Sequence, residues 1–555
     1  MRKNARQCVP SNADPMIPVN RAVIEFLKVQ GIPHIFGKAG SGILPLLDSA
    51  NGILSFVSAY REEAAVLMAD GYARTTGGPA VVLLSGGPAV AQGVAAMAQA
   101  YHDGSPVLLI ASEIPSTYAG KRDSATKGLE QQAIFQQITR FSARVHDAQS
   151  ILGTLEQAYR SAVCGRKGPV YCGIPSDFMT QETAETIQHH SRFSPAAPPG
   201  GDPEKIREAC ELLIEAERPV ILLGGGVVWS RATSEAMELA EFLFAPIVTS
   251  SSKSGIVSDD FPLSIGRLGS EVNRLALETV AEADTLISIG CTFNDRTTFA
   301  FSPTLLPPAL RLIQVDIDPS PIGRNYPIKV GIIGDAKAVL TQILSCLRQI
   351  GAEKWPSRVI HRIQKVWERR EMWINEWSRA ARSMDVPIRR LRLLRDVVEE
   401  AGRDAIVFGE LPWKDCLKGS HFPLVESDDF PVSGSNLSFA MGAKLALPSR
   451  PVVAILGDGQ FVSVLTDLAT AVEHHIPVVA VVARNGCNGQ VKKAQAKFYA
   501  GRFIGVDHPF PNFADVALSL GAHGQRVENP SEIRAALRAA FDLRKPALIE
   551  AIVNE

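Results

Sequence analysis

The chain has 555 residues, of which 46% are hydrophobic and 21% charged, with a net charge of −1. That balance reads as a well-packed globular protein of about three domains, and it excludes a charge-driven binder of nucleic acid or of an anionic membrane surface. No apolar run approaches the roughly 18 to 20 residues that span a bilayer, and the polar start, MRKNARQCVPSNADP, lacks a signal-peptide core. Eight cysteines with no CxxC pair argue against a disulfide framework or a zinc site. The expectation is a cytoplasmic protein with reduced thiols.

Residues 1 to 15 read as a loose tail. From Val19 the pattern becomes α/β. A helix over Arg21–Gln30 leads to a strand at His34–Phe36 and a glycine-rich turn, Gly37-Lys38-Ala39-Gly40-Ser41-Gly42. Strands recur near Phe56–Ser58, Val81–Leu84, Val107–Ile110 and Val170–Gly173, separated by helical segments. Such alternation predicts a doubly wound parallel sheet. The Pro/Gly-rich stretch SRFSPAAPPGGDP, from Ser191 to Pro203, reads as a linker. A second α/β unit follows, with strands Val220–Leu223, Ile247–Thr249, Thr285–Ile289 and Leu312–Val315, the first ending in Gly224-Gly225-Gly226. Residues Lys354 to Arg382 read as a polar helical connector. Its Trp355, Trp367, Trp373 and Trp377, at roughly helical spacing, are read as packing residues.

The third unit begins near Pro387 and carries the most informative stretch, VVAILGDGQFVSVLTDLATAVEHHIPVVAVVARNGCNGQ, from Val452 to Gln490. An apolar strand (Val452–Leu456), a sharp Gly457-Asp458-Gly459 turn, a helix (Phe461–His474) and a second strand (Val478–Val482) make a βαβ unit, which implies a parallel sheet. Glycines let the backbone approach a phosphate closely, and the following helix offers its positive N-terminus. Asp458 and Asn485 fall at the carboxyl ends of neighbouring strands, hence on one edge of the sheet. An Asp oxygen, an Asn amide oxygen and a nearby backbone carbonyl would suit Mg²⁺, with a diphosphate completing the shell.

This stretch resembles the thiamine diphosphate (ThDP) motif of the ThDP-dependent decarboxylases and carboligases: GDG, a helix and strand, and a terminal Asn. The resemblance implies Asp458, Asn485 and the carbonyl of Cys487 as metal ligands, with Gly457, Gly459 and Gln460 beside the cofactor. Arg484 stands where the family often has a first Asn. The segment YREEAAVLMADGYAR, from Tyr60 to Arg74, resembles the H-E-x-x-A-x-x-M-A-x-G-Y-A-R of acetolactate-synthase-type enzymes. It implies Glu62 as the catalytic glutamate on the aminopyrimidine ring, where a carboxyl favours the tautomer that takes the cofactor's own proton. Arg61 and Glu63 replace the usual His and Gln. Ser85-Gly86-Gly87-Pro88 resembles the family's TSGP turn at the cofactor ring, so Gly86, Gly87 and Pro88 are implied as cofactor-binding, although Gln92 replaces an Asn. His102, beyond the next helix, reads as a surface or capping residue.

The same resemblance extends to the substrate positions. Lys127, in SATKGLEQQAIF, takes the place of an active-site Gln, adding a cation. Arg296, in GCTFNDR, matches the arginine that holds the carboxylate of a second 2-oxo acid, a task suited to a bidentate guanidinium. Gln314-Val315-Asp316-Ile317-Asp318-Pro319 resembles a segment bordering an FAD site, so FAD is left open as a further ligand. Ala494 stands where a Trp is usual, and Ser433 where a bulky residue props the cofactor. The run from Gln490 to Ala522 also resembles sulfoacetaldehyde acetyltransferases.

The expectation is therefore three doubly wound parallel-sheet α/β domains: a pyrimidine-binding domain at 16–190, a central domain at 203–348 and a diphosphate-binding domain at 385–555. The implied activity is acetolactate synthase-like. A pyruvate-like 2-oxo acid is decarboxylated, and the enamine passes to a second carbonyl compound, using thiamine diphosphate and Mg²⁺. Two alternatives stay open: a 2-oxo acid decarboxylase or sulfoacetaldehyde acetyltransferase-type enzyme, and a non-catalytic nucleotide-binding homologue. The joint presence of Glu62, Asp458 and Asn485 argues against the last. The family places its active sites between subunits, which implies a homodimer or homotetramer acting on small molecules, with neither nucleic acid nor membrane as partner.

Overall fold

The computed structural model describes residues 16–118, 120–184, 193, 197–251, 255–258, 260–269, 273–350, 357–409 and 430–554, with the side chains of 357–361 excepted. The expected tail, Lys354, Trp355 and much of the expected linker lie outside them. The chain divides into two compact units, one of residues up to 69 with 78–195, the other of residues 70–77 with 196–555.

The first unit is built on a six-stranded sheet: β1 (His34–Gly37), β2 (Ser55–Ser58), β3 (Ala80–Leu84), β4 (Val107–Glu113), β5 (Phe141–Arg144) and β6 (Val170–Pro175). Its order is β2-β1-β3-β4-β6-β5, and every pairing is parallel. The inner strands read as unbroken apolar runs because helices cover both faces. Ala80–Leu84 is buried throughout, as is Val107–Glu113. Helix α1 (Glu62–Thr76) follows β2. A two-residue antiparallel ribbon, Ile17–Pro18 with Glu182–Thr183, joins the start of the unit to its end.

The second unit holds two parallel sheets. The central one comprises β7 (Pro219–Leu223), β8 (Ile247–Thr249), β9 (Ser264–Arg267), β10 (Thr285–Ile289), β11 (Arg311–Asp316) and β12 (Val330–Ile333), in the order β9-β8-β7-β10-β11-β12. The C-terminal one comprises β13 (Ile406–Phe408), β14 (Val452–Gly457), β15 (Val479–Arg484), β16 (His523–Val527) and β17 (Ala547–Ile552), in the order β13-β14-β15-β17-β16. The long helix α2 (Ser357–Ala380) lies between them in sequence, followed by α3 (Arg390–Ala401), α4 (Ser435–Ala446), α5 (Asp458–Glu473) and α6 (Gly489–Phe498). Two of the tryptophans read as packing do pack: Trp367 lies against the central core and donates its indole N–H to Pro262 O at 2.8 Å, and Trp377 lies against the C-terminal core.

Six strands escaped the reading of the sequence: β5, β9, β12, β13, β16 and β17. All but β17 are edges of their sheets. FSAR is only half-buried along its length and needs no continuous apolar run, whereas SIGR is mostly buried but carries the polar Ser264 and Arg267, which break the apolar signal. The inner strand β17, with the sequence ALIEAI, was missed for another reason: it carries a fully buried Glu550. The sharp Gly-Asp-Gly turn is also corrected. β14 runs through Gly457, and α5 begins at once with Asp458, so no separate turn intervenes. Among the described residues no helix is long and apolar enough to cross a membrane.

Candidate functional site

β14 and β15 are parallel neighbours, and Gly457 lies opposite Ala483 in their register. The residues just past each strand must therefore meet. They do so through the Asp458 carboxylate, which is buried at the start of α5. Its Oδ2 accepts the N–H groups of Asn485 at 3.0 Å and Gly486 at 2.7 Å, and its Oδ1 accepts the N–H of Gly459 at 2.8 Å. A negative group suits the positive end of a helix. The Gln460 side chain accepts the Gly457 N–H at 2.9 Å, which closes the cap of α5.

Beyond Asn485 the chain turns against the segment 506–508. Asn488 N–H donates to Val506 O at 2.7 Å, and His508 N–H donates to Gly486 O at 2.9 Å. This ladder leaves the N–H and C=O of Cys487 on the side of Asn485, and the Cys487 N–H reaches Asn485 Oδ1 at 3.3 Å. Arg484 anchors the same region from behind. It donates to the buried Glu550 at 2.5 Å and to the carbonyls of Pro511 and Phe510 at 2.8 and 2.7 Å. The family's other asparagine is thus replaced by an arginine that pins the loop carrying His508 and Phe510.

These residues line a cavity of about 530 Å³, whose walls include Gly457, Asp458, Gly459, Asn485, Cys487, His508 and Arg390. Two observations test whether a diphosphate and a divalent metal fit there. A Cβ built on Gly459 would meet nothing within 4 Å, so the space beside this backbone is open. The amide nitrogen Nδ2 of Asn485 is buried and has no hydrogen-bond partner. A buried donor without an acceptor is costly unless a ligand completes it. The protein's own donor set is oxygen-rich and holds one carboxylate. No group of three His, Cys, Asp or Glu capable of holding a metal occurs among the described residues. Such a set suits a hard cation that keeps part of its shell for phosphate oxygens. The residues fit.

In the first unit, the carboxyl ends of β1 to β4 gather a second group of expected residues. Glu62 opens α1 just after β2 and is 6% exposed. Lys38, just past β1, extends its Nζ to Glu62 Oε2 at 3.4 Å. The reading of the sequence placed Lys38 only in a glycine-rich turn. Nothing in its spacing could show that the turn after β1 reaches the start of α1. Gly86 and Gly87 follow β3. Their N–H groups donate to Ser112 Oγ at 2.8 Å and Gln131 Oε1 at 3.0 Å. A Cβ on Gly86 would lie 2.3 Å from Ser112 O, and one on Gly87, at φ +71, would lie 2.7 Å from Lys127 Cβ. These glycines thus serve close packing inside the unit, and their donors are taken. Pro88 begins the short helix that follows. Lys127 itself has a left-handed φ of 65 and donates to Ser41 Oγ at 3.3 Å.

Behind this edge lies a buried cluster. Glu113 accepts a hydrogen bond from the Tyr171 hydroxyl at 2.9 Å and pairs with Arg144 at 2.9 Å. Burial pushes the Glu113 carboxyl above its ordinary range, against the opposing pull of Tyr171 and Arg144. Tyr171 stacks on Phe135 at 4.7 Å.

Arg296 is exposed on the loop after β10 and is not part of the cavity wall. Its loop is bent tightly: Phe299, Ala300 and Phe301 have φ values of 51, 61 and 57. Three consecutive left-handed residues other than glycine cost roughly 1–2 kcal/mol each. In the central sheet, a Cβ on Gly224 would lie 2.2 Å from Gly290 O and one on Gly226 2.7 Å from Gly290 Cα. The chain's own packing accounts for Gly224 and Gly226 in that run. Ser433 does line the cavity, as its expected register implies. Residues Gly489–Phe498, with Ala494, form α6, which has no buried residue.

Comparison with known proteins agrees with this architecture. Three family models match in order: thiamine pyrophosphate enzyme N-terminal TPP binding domain at residues 17–139, central domain at 206–343 and C-terminal TPP binding domain at 421–551. The fold is that of a thiamine diphosphate-dependent enzyme. The probable acetolactate synthase large subunit of Methanocaldococcus jannaschii is 31% identical over 96% of this chain and 91% of its own length. The acetolactate synthase of Mycobacterium bovis is 30% identical, over 96% and 88%. The sulfoacetaldehyde acetyltransferase of Alcaligenes xylosoxydans xylosoxydans is 29% identical, over 95% and 90%. The chain belongs to the acetolactate synthase family of these enzymes.

Proposed function

We propose that this enzyme decarboxylates a pyruvate-like 2-oxo acid and transfers the remaining unit to a second carbonyl compound, as an acetolactate synthase does. The observation that carries this reading is Asp458. Its carboxylate gathers the strand ends of β14 and β15 around a cavity with an unpartnered Asn485 amide nitrogen and open space at Gly459. Bound there, thiamine diphosphate supplies the carbanion chemistry that no side chain can.

The chain's own residues do the rest. Asp458, Asn485 and the Cys487 carbonyl would hold Mg²⁺, Gly457 and Gly459 would let the backbone come close to the diphosphate, and Gln460 fixes the helix start. Glu62 offers its carboxyl to the aminopyrimidine ring and sets the proton there. Gly86, Gly87 and Pro88 shape the wall beside that ring. Arg296 holds the acceptor's carboxylate. The proposal includes three domains bounded near 16–190, 203–348 and 385–555, a cytoplasmic setting, and a homodimer or homotetramer in which a second copy completes each site.

A second reading has a specific observation in its favour. Lys38 and Lys127 add two cations to the carboxyl edge of the first sheet, and one relative acts on a sulfonated aldehyde. The acceptor or donor would then carry a further anionic group.

Product analysis by NMR after incubation with ThDP, Mg²⁺ and pyruvate tests the first reading. Acetolactate supports it. Acetaldehyde alone, or turnover only of sulfonated compounds, replaces it with the second class. The Glu62→Gln variant should bind ThDP yet lose turnover; equal turnover would remove Glu62 from its role.

A further inference from the structure

Arg390 stands at the first position of α3 and lines the same cavity as Asp458, Gly459 and Asn485. Its Nε is buried and has no hydrogen-bond partner, and no ion pair holds its guanidinium among the described residues. A half-buried guanidinium without a counter-ion has lost water and gained nothing in return. Nearby, Asn485 Nδ2 is a second buried donor in the same condition. Gly489 locates the two relative to each other. A Cβ placed on it would lie 3.0 Å from Asn485 Nδ2 and 3.6 Å from Arg390 Nη2. The two nitrogens are therefore close enough to bracket one phosphate group, and the missing side chain at Gly489 keeps the space between them clear.

Charge points the same way. The Asp458 carboxylate shares the cavity, and its three backbone donors leave it no need of an arginine. A divalent metal on Asp458 leaves one net positive charge, which falls short of a diphosphate. Arg390 supplies another, as a planar fork matched to phosphate oxygens.

We propose that Arg390, together with the Asn485 amide nitrogen, is a binding residue for the terminal phosphate of the cofactor. This rests on the reading of the cavity as the diphosphate site. Nothing in the sequence singles it out, because Arg390 sits in an arginine-rich run, RRLRLLR, whose other members serve ion pairs. Arg389 pairs with Asp385, Arg392 with Asp396, and Arg395 with Glu399.

The test is calorimetric titration of the full-length protein, wild type and Arg390→Met, with ThDP and Mg²⁺ and, separately, with inorganic pyrophosphate and Mg²⁺. Loss of a hydrogen bond to a charged group should weaken both ligands about tenfold to a hundredfold. Arg390→Lys, which keeps a point charge without the fork, should recover part of the loss. Equal affinity for ThDP in wild type and Arg390→Met overturns the proposal, as does weakening of ThDP without weakening of pyrophosphate. Failure of folded wild type to bind ThDP at all is a different result: it removes the diphosphate reading itself. Should Arg390→Met melt early, Arg390→Gln, which keeps a polar donor without charge, replaces it under the same criteria.

Discussion

Gly459→Ala separates what the fold needs from what the ligand needs. Gly459 is the second residue of α5, and its φ lies outside the left-handed region. Alanine is therefore compatible with the backbone, and beyond its chain neighbours and its own helix backbone no protein atom lies within 4 Å of its new methyl group. Replacing glycine at such a position stabilises a protein by roughly 0.4–1 kcal/mol, chiefly by restricting the unfolded chain. The ligand-free variant should melt at the wild-type temperature or about 1–3 °C above it. The same methyl group stands in the space proposed for the diphosphate. Forcing an extra methyl into filled space costs about 1–3 kcal/mol, which corresponds to roughly 5- to 150-fold in affinity. At a ThDP concentration near a hundred times the wild-type dissociation constant, binding should stabilise wild type by about 2.7 kcal/mol. A variant weakened about fiftyfold should gain less than about 1 kcal/mol. Thermal unfolding with and without ThDP and Mg²⁺ measures both halves. An unchanged ligand-induced shift would show that the diphosphate lies elsewhere. A lower melting temperature without ligand would show that the space is not open. Gly86→Ala is the opposite control: its Cβ would lie 2.3 Å from the Ser112 carbonyl oxygen, so the variant should lose stability before any ligand is added.

Two further outcomes follow from named contacts. Asp458→Asn cannot accept on both sides, because its amide nitrogen faces either the Gly459 N–H or the pair from Asn485 and Gly486. It should melt lower than wild type without ligand and show no Mg²⁺-dependent ThDP binding by calorimetry; wild-type values for both would refute the arrangement. Glu113→Gln tests the buried cluster of the first unit. Because burial raises the Glu113 carboxyl above its ordinary range, the folded state holds that proton more tightly than the unfolded state does, and the group's contribution falls as pH rises through that window. The amide keeps an acceptor for Tyr171, and Arg144, 28% exposed, can turn to water. The variant's melting temperature should therefore rise relative to wild type between acidic and neutral pH. A relative fall would show that the Arg144 pair outweighs the burial cost.

The elements legible in the sequence are those whose signal is local. β14 is an apolar run ending in glycine, and its two covered faces demand that composition. The GDG motif, the αβ segment after it and Asn485 have fixed spacing, and the parallel register of β14 and β15 turns that spacing into a single place. The start of α1 at Glu62 was legible in the same local way, as a charged pair after a strand, whereas the role expected of Glu62 came from the resemblance alone. What escaped depends on contacts between distant segments. Lys38 reaches Glu62 across 24 residues, and Gln131 reaches Gly87 across 44, with no periodicity to announce either. The glycines show the limit most clearly. Gly86, Gly87 and Gly459 look alike in sequence, each in a turn-like motif before a helix. In the structure the first two are required by backbone and Lys127 atoms at close range, whereas Gly459 faces open space. A glycine with no protein reason to be one is evidence for something outside the chain, and only coordinates can tell it from the other kind. The same reasoning distinguishes Arg390 from its neighbours. Arginines whose partners are visible explain themselves; Arg390, whose Nε has no partner among the described residues, stands at the wall of the cavity proposed for the ligand.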